Sequence, residues 1–346
     1  MTITASQFLI LGVTAFALTG LLTWPVRALA IRLGALDAPN LARKTQTEPV
    51  PYLGGVAIAL GITITTFAAV FVGEDNANFF DLAFTVLIPA LSLGLMGLVD
   101  DLRSLSPWPR LITQTIVGTI AAFIIVQGGT VGTPFGTSAL NTAVSIFWIV
   151  GICNSINFFD NLDGAASGAV AIAALGIFFI AFDRGQELVS ALSIVTAGAT
   201  IGFLMWNKSP AKIYMGDAGA LFLGVIISVA TIRVNPGIVP TWKSLMIPIM
   251  LLAVPLLDTC VAVFSRIARG LSPLTGGKDH LSHRLVRAGL SRRVAAVSLW
   301  SASGVCALMA VGLYSYPDLI GSVIIGSFAA LWLSALVMFL RTRSND

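Results

Sequence analysis

Charge is what this sequence has least of. Only 10% of its 346 residues are Asp, Glu, Lys or Arg, against 56% hydrophobic, whereas a soluble domain carries roughly 25% charged residues. A water-soluble fold is excluded. Cysteine is scarce too: Cys153, Cys260 and Cys306 all lie inside apolar stretches, and an odd number without paired spacing excludes a disulfide framework. The histidines are two, His280 and His283. That pair could begin a zinc site, but a third protein ligand of the right type is missing from the vicinity. The opening stretch MTITASQFLILGVTAF lacks the basic segment and small-residue cleavage site of a signal peptide, so it reads as a retained first span. There is no sustained internal repeat, low-complexity tract or coiled-coil heptad.

What is abundant is apolar sequence of membrane-spanning length. Such runs fall at about residues 7–31, 52–73, 81–99, 111–127, 141–159, 165–182, 188–206, 218–233, 244–264, 294–314 and 318–340, which predicts about 11 transmembrane helices in an all-α, polytopic membrane protein. The run at 218–233 is the shortest and could be a tilted or half-inserted segment. Short connections leave no room for a separate soluble domain, so residues 1–346 are expected to form one membrane domain.

The net charge of +4 would suit nucleic acid, but the placement of the cations follows topology instead. Lys and Arg collect on the cytoplasmic side of membrane proteins. With the N-terminus outside and the C-terminus cytoplasmic, Arg184, Arg233 and Lys243 are external and the other 17 of the 20 Lys and Arg residues are internal. The polar connections at about 32–51, 100–110, 154–164, 207–217 and 265–293 then all face the cytoplasm.

Those connections carry the chemistry. Asp100 and Asp101 end an apolar run, where paired carboxylates oppose the helix dipole unless a cation neutralises them. In CNSINFFDNLDGAASG, Asn157, Asp160, Asn161 and Gly164 share one face of an ideal helix while Asn154 and Asp163 point oppositely. The helix is therefore expected to unwind near Asn161, which is tolerated at membrane depth where backbone lines a wet cavity. Gly216, Asp217 and Gly219 in IYMGDAG bring a carboxylate to a helix start after a tight turn. Clustered carboxylates suit a hard cation such as Mg²⁺, which also binds substrate phosphates. The segment KDHLSHRLVRAGLSRR supplies Lys278, Asp279, His280, His283 and Arg284, donors suited to charge developing on a diphosphate. Each motif alone has a plainer reading as a solvated helix end, a polar turn or a basic surface loop.

In this order, DAPNLARKTQTEPVPYLGG, GLVDDL, NSINFFDNLDG, IYMGDAG and HLSHRL resemble the polyprenyl-phosphate N-acetylhexosamine-1-phosphate transferases. The likeness runs from about residue 37 to residue 293, and the last two spans fit the family's eleven-helix form. It implies a UDP-N-acetylhexosamine donor, undecaprenyl or another polyprenyl phosphate as acceptor, UMP as leaving group, and Mg²⁺, or Mn²⁺ in its place. It is compatible with a homodimer in a bacterial inner membrane and excludes nucleic acid as partner. By that likeness Asp100, Asp101, Asp160, Asp163, His280 and His283 are catalytic, Asp217 and Asp100 hold the metal, and Lys44, Asn157 and Arg284 bind substrate. HLSH in place of three consecutive histidines points to the branch that initiates O-antigen, teichoic-acid or arabinogalactan linkage units rather than to the phospho-muramoyl-pentapeptide transferases. Ser282 stands where many members of that branch have a further histidine. The rival class is a transporter, whose site belongs near the bilayer midplane between two halves that echo each other.

Overall fold

The computed structural model describes residues 3–37, 49–72, 81–103, 105–128, 134–273 and 277–342. It is an all-helical bundle: α1 (Ala5–Arg32), α2 (Gly54–Val72), α3 (Ile88–Arg103, entered through a π-helical turn at Ala83–Leu87), α4 (Pro107–Gln127), α5 (Ser138–Phe159), α6 (Ala165–Asp183), α7 (Glu187–Asn207), α8 (Gly216–Arg233), α9 (Thr241–Leu251), α10 (Ala253–Ala268), α11 (Leu281–Arg287), α12 (Arg292–Ser315) and α13 (Leu319–Arg341). Two short strands, β1 (Leu36–Asp37) and β2 (Val50–Pro51), pair antiparallel after α1.

Among the described residues, nine helices are long and apolar enough to cross a membrane. A tenth crossing is counted if α9 and α10 form one span, and α2 is a shorter apolar helix. The expected single run at 244–264 is thus corrected: α9 and α10 meet at 74°, with Pro248 inside α9 and Pro255 in the first turn of α10. Each proline removes a backbone donor and crowds the preceding turn, which is where helices bend.

The run at 218–233, shortest in the sequence, proves to be the most enclosed of the long helices. Every residue of α8 from Ala218 to Thr231 is buried, and α2, α3, α5, α6 and α7 pack round it. A helix apolar on all sides belongs in a core. Glycine lets its neighbours reach it: a Cβ on Gly55 of α2 would collide with the backbone of Gly219, and one on Gly97 of α3 with that of Asp217. The starts of α2 and α8 and the last turns of α3 therefore meet at backbone contact, at the level of Asp217. By contrast α13 fully buries only Gly321 and Phe328 and packs on the bundle by one side, leaving the other to lipid.

Candidate active site

The functional side chains gather at one end of the bundle, where α3 and α5 end and α8 begins. The amino end of α8 is the fixed point. Its first backbone amides have no partner within the helix; here Asp217 N donates to Asp101 Oδ1 at 2.9 Å and Ala218 N to Asp101 Oδ2 at 3.1 Å. Gly216 has φ +73°, the left-handed turn that glycine adopts without strain. Asp101 is thus a cap contributed by another helix, favoured by the partial positive charge there.

Capping aims Asp217 into the cleft. Its Oδ1 accepts from Asn157 Nδ2 at 2.6 Å and its Oδ2 from Arg110 Nη1 at 2.9 Å. The same Arg110 nitrogen donates to Asp100 Oδ2 at 3.1 Å, and Asp100 Oδ1 accepts from Leu105 N at 2.6 Å. One guanidinium therefore lies between the two carboxylates expected to hold a metal. These groups line a cleft of about 680 Å³ with Asp160, Asp163 and His283.

The α5 helix ends at Phe159, two residues before Asn161, near which the unwinding was expected. The turn that follows is held from below: Asp163 Oδ2 accepts from Ala211 N at 3.1 Å, and Asn207 Oδ1 accepts from Gly164 N at 3.1 Å. Burial, with the nearby charges of Asp217, Asp101 and Asp163, pushes the Asp160 carboxyl up to about 7. A bound cation would reverse that shift. Asn154 does not reach the cleft; one turn deeper, its Nδ2 donates to Gln114 Oε1 of α4 at 2.7 Å.

The histidines divide. His283 opens on the cleft; burial and the neighbouring His280 hold its imidazole down at about 4, so it is uncharged at neutral pH. His280, expected to be catalytic, is not among the cleft's lining residues. Its Nδ1 lies 2.7 Å from Asp258 Oδ2 and its Nε2 3.3 Å from Arg266 Nη2. Arginine only donates, so Nε2 accepts and the proton sits on Nδ1, facing Asp258. Asp258 also accepts from Leu281 N at 2.6 Å, and Arg266 Nε donates to Asp279 Oδ2 at 3.0 Å. Arg269 pairs with the other oxygen of Asp279. This network docks the α11 turn onto α10 and so sets where His283 and Ser282 sit, Ser282 hydrogen-bonding Asn161.

Arg284, expected to bind substrate, is buried away from the cleft. Its guanidinium donates to Asp279 O at 2.8 Å, Ser265 Oγ at 2.7 Å and Phe339 O at 2.6 Å, tying α11 to α10 and α13. Lys44 falls outside the described residues. Reasoning from the sequence missed Arg110, Asn207 and Asp258. A lone carboxylate within LLAVPLLDTCVAVF was the available signal for Asp258, because an ionisable residue at membrane depth is a functional candidate by default. Arg110 had the weaker signal of a cation opening the helix after the aspartate pair.

Does the cleft suit a metal? Among the described residues no three His, Cys, Asp or Glu side chains converge as a ready-made cage. Mg²⁺ is typically held by one or two carboxylates, with water and substrate phosphates completing its shell. Asp217 and Asp100, sharing one cation, fit that description.

With this geometry in view, relatives of the chain become informative. A probable undecaprenyl-phosphate N-acetylglucosaminyl 1-phosphate transferase of Bacillus subtilis (strain 168) is 32% identical over 329 residues, covering 93% of this chain and 86% of the relative. The chain belongs to the polyprenyl-phosphate N-acetylhexosamine-1-phosphate transferases. Residues 83–235 match the model of glycosyl transferase family 4, a stretch that includes Asp100, Arg110, Asn157, Asp160 and Asp217. A decaprenyl-phosphate N-acetylglucosaminephosphotransferase of Mycobacterium tuberculosis is 30% identical, over 98% of this chain and 91% of its own length. A phospho-N-acetylmuramoyl-pentapeptide-transferase of Streptococcus thermophilus is 28% identical over 66% of this chain. The transferases of this family thus include relatives named for both sugar classes.

Proposed function

We propose that this transferase moves N-acetylglucosamine 1-phosphate from UDP-N-acetylglucosamine to undecaprenyl or another polyprenyl phosphate, releasing UMP, as the first membrane step of an envelope glycan. The observation that carries the reading is Asp217, fixed by Asn157 and Arg110 opposite Asp100 in an oxygen-lined cleft at one end of an apolar bundle. That position favours the transferase over a transporter, whose site should lie midway along the helices. We place the cleft at the cytoplasmic face of a bacterial inner membrane, where nucleotide-sugars are made and the basic connections collect.

In the reaction an oxygen of the lipid phosphate attacks the β-phosphorus of the donor. A new P–O bond forms, and the bond from that phosphorus to the bridging oxygen breaks. UMP leaves with the electron pair; the sugar's own bond to its phosphate stays intact. Both reactants are anions. Mg²⁺ held by Asp217 and Asp100 would neutralise the diphosphate and stabilise charge on the leaving oxygen. Asn157 keeps Asp217 oriented, and Asp101 keeps the start of α8 in place. A phosphate monoester has a second pKa near 6, so the acceptor needs little help to lose its proton and Asp100 acts chiefly by position. Uncharged His283 can hydrogen-bond a phosphate oxygen without competing for the cation.

Purified protein given radiolabelled UDP-N-acetylglucosamine and undecaprenyl phosphate should form labelled, organic-extractable lipid only with Mg²⁺, and the Asp217→Asn variant should form none. No product from this donor, with product from UDP-N-acetylmuramoyl-pentapeptide, would assign the other branch. No product from any UDP-sugar would overturn the transferase reading.

A further inference from the structure

The cleft holds its own cation. Arg110 is about one-fifth exposed, so its charge is only partly sheltered, yet one of its nitrogens bonds both Asp100 and Asp217. Those are the two carboxylates that the transferase reading assigns to the metal. A guanidinium and a divalent cation cannot share that position: at contact distance two positive charges repel strongly in a partly buried site. Arginine also carries its donors in a flat fork that matches phosphate as well as carboxylate. It projects from the first turn of α4, on a side chain long enough to turn within the cleft it lines.

We infer that Arg110 is an exchangeable counter-ion. Before the metal binds, it neutralises Asp100 and Asp217. When a divalent cation takes its place, the guanidinium is released into the cleft and its fork becomes a ligand for the donor's diphosphate. The exchange would order binding: metal entry frees the phosphate-binding group, so an anionic donor meets a prepared site only in the loaded protein. This inference rests on the transferase reading for the identity of the anion but not for the exchange itself.

The test uses the full-length purified protein, Mg²⁺ alone and then uridine diphosphate, with thermal unfolding and calorimetry as readouts. Arg110→Gln is expected to unfold at a lower temperature than wild type without Mg²⁺, to gain more from it, and to show half-saturation at about tenfold lower Mg²⁺, since a competing charge is gone. At saturating Mg²⁺ it should bind uridine diphosphate about tenfold more weakly, having lost a charged fork. Arg110→Lys keeps the charge without the fork and should shift both constants about threefold in the same directions; it remains measurable if Arg110→Gln does not fold. Half-saturation equal to or above wild type in a folded variant overturns the exchange. Failure of the transferase reading looks different: wild type would bind no uridine diphosphate and make no labelled lipid while the Mg²⁺ titrations still separated the variants.

Discussion

Two groups of charged side chains sit at the same end of this bundle, and they are built on opposite rules. Around α11, Asp258 and Asp279 are fully enclosed and matched by Arg266, Arg269 and His280, each oxygen having a resident partner. In the cleft, Asp100, Asp101, Asp160, Asp163 and Asp217 line one cavity, and Arg110 is their cation among the described lining residues. A balanced, closed cluster holds structure together. An acidic excess around a cavity leaves a demand for positive charge that a ligand must meet. Histidines three residues apart fall on either side of that line, His280 in the closed group and His283 in the open one.

The sharpest break of this comparison is a pair of neutralising substitutions. Asp217→Asn should lower kcat by about 10³-fold or more, the scale of losing a main electrostatic stabiliser of the transition state, with unfolding temperature near wild type because the amide can still meet Arg110 or Asn157. Asp258→Ala should act on the fold instead. It leaves the His280 Nδ1–H and the Leu281 N–H buried without their acceptor, a loss of about 2–4 kcal/mol in stability that unfolding in denaturant would measure. A smaller effect is expected from His283→Gln: about 10²-fold in kcat, with stability unchanged, whereas His280→Gln should lower stability and activity together.

The mildest prediction concerns pH. Asp160 without metal titrates at about 7, above the usual carboxylate range, so below pH 7 it is increasingly protonated and must lose that proton when a cation enters the cleft. The half-saturating Mg²⁺ concentration should therefore rise as pH falls from 8 to 6, approaching about tenfold per pH unit at the acid end for one linked proton. His283, held down at about 4, should add no acid limb in that range. A half-saturation independent of pH would remove Asp160 from the metal's surroundings.

Much of this was legible in the sequence, for physical reasons that also mark where legibility stopped. Apolar length announces a span, so the helices were readable; the break at α9 and α10 was hidden inside an apolar run, although Pro248 and Pro255 signalled it. Asp100, Asn157 and Asp217 were readable because polar groups at membrane depth need a function or a partner. Asn154 satisfied the same rule with a partner, Gln114, that only packing of α4 on α5 supplies. Spacing within HLSHRL could not say which histidine faces the cleft, because Asp258, 22 residues away, decides it. Arg284 looked like a ligand for phosphate and is a clasp for α13, since the Phe339 carbonyl it meets lies 55 residues along the chain.

The central claim is that the open cluster, and not the closed one, takes up a divalent cation. Anomalous scattering from crystals of the protein loaded with Mn²⁺ would test it most directly. A peak between Asp100 and Asp217, with Arg110 displaced, is the predicted result; a peak among Asp258, Asp279 and His280, or none in the cleft, would contradict it.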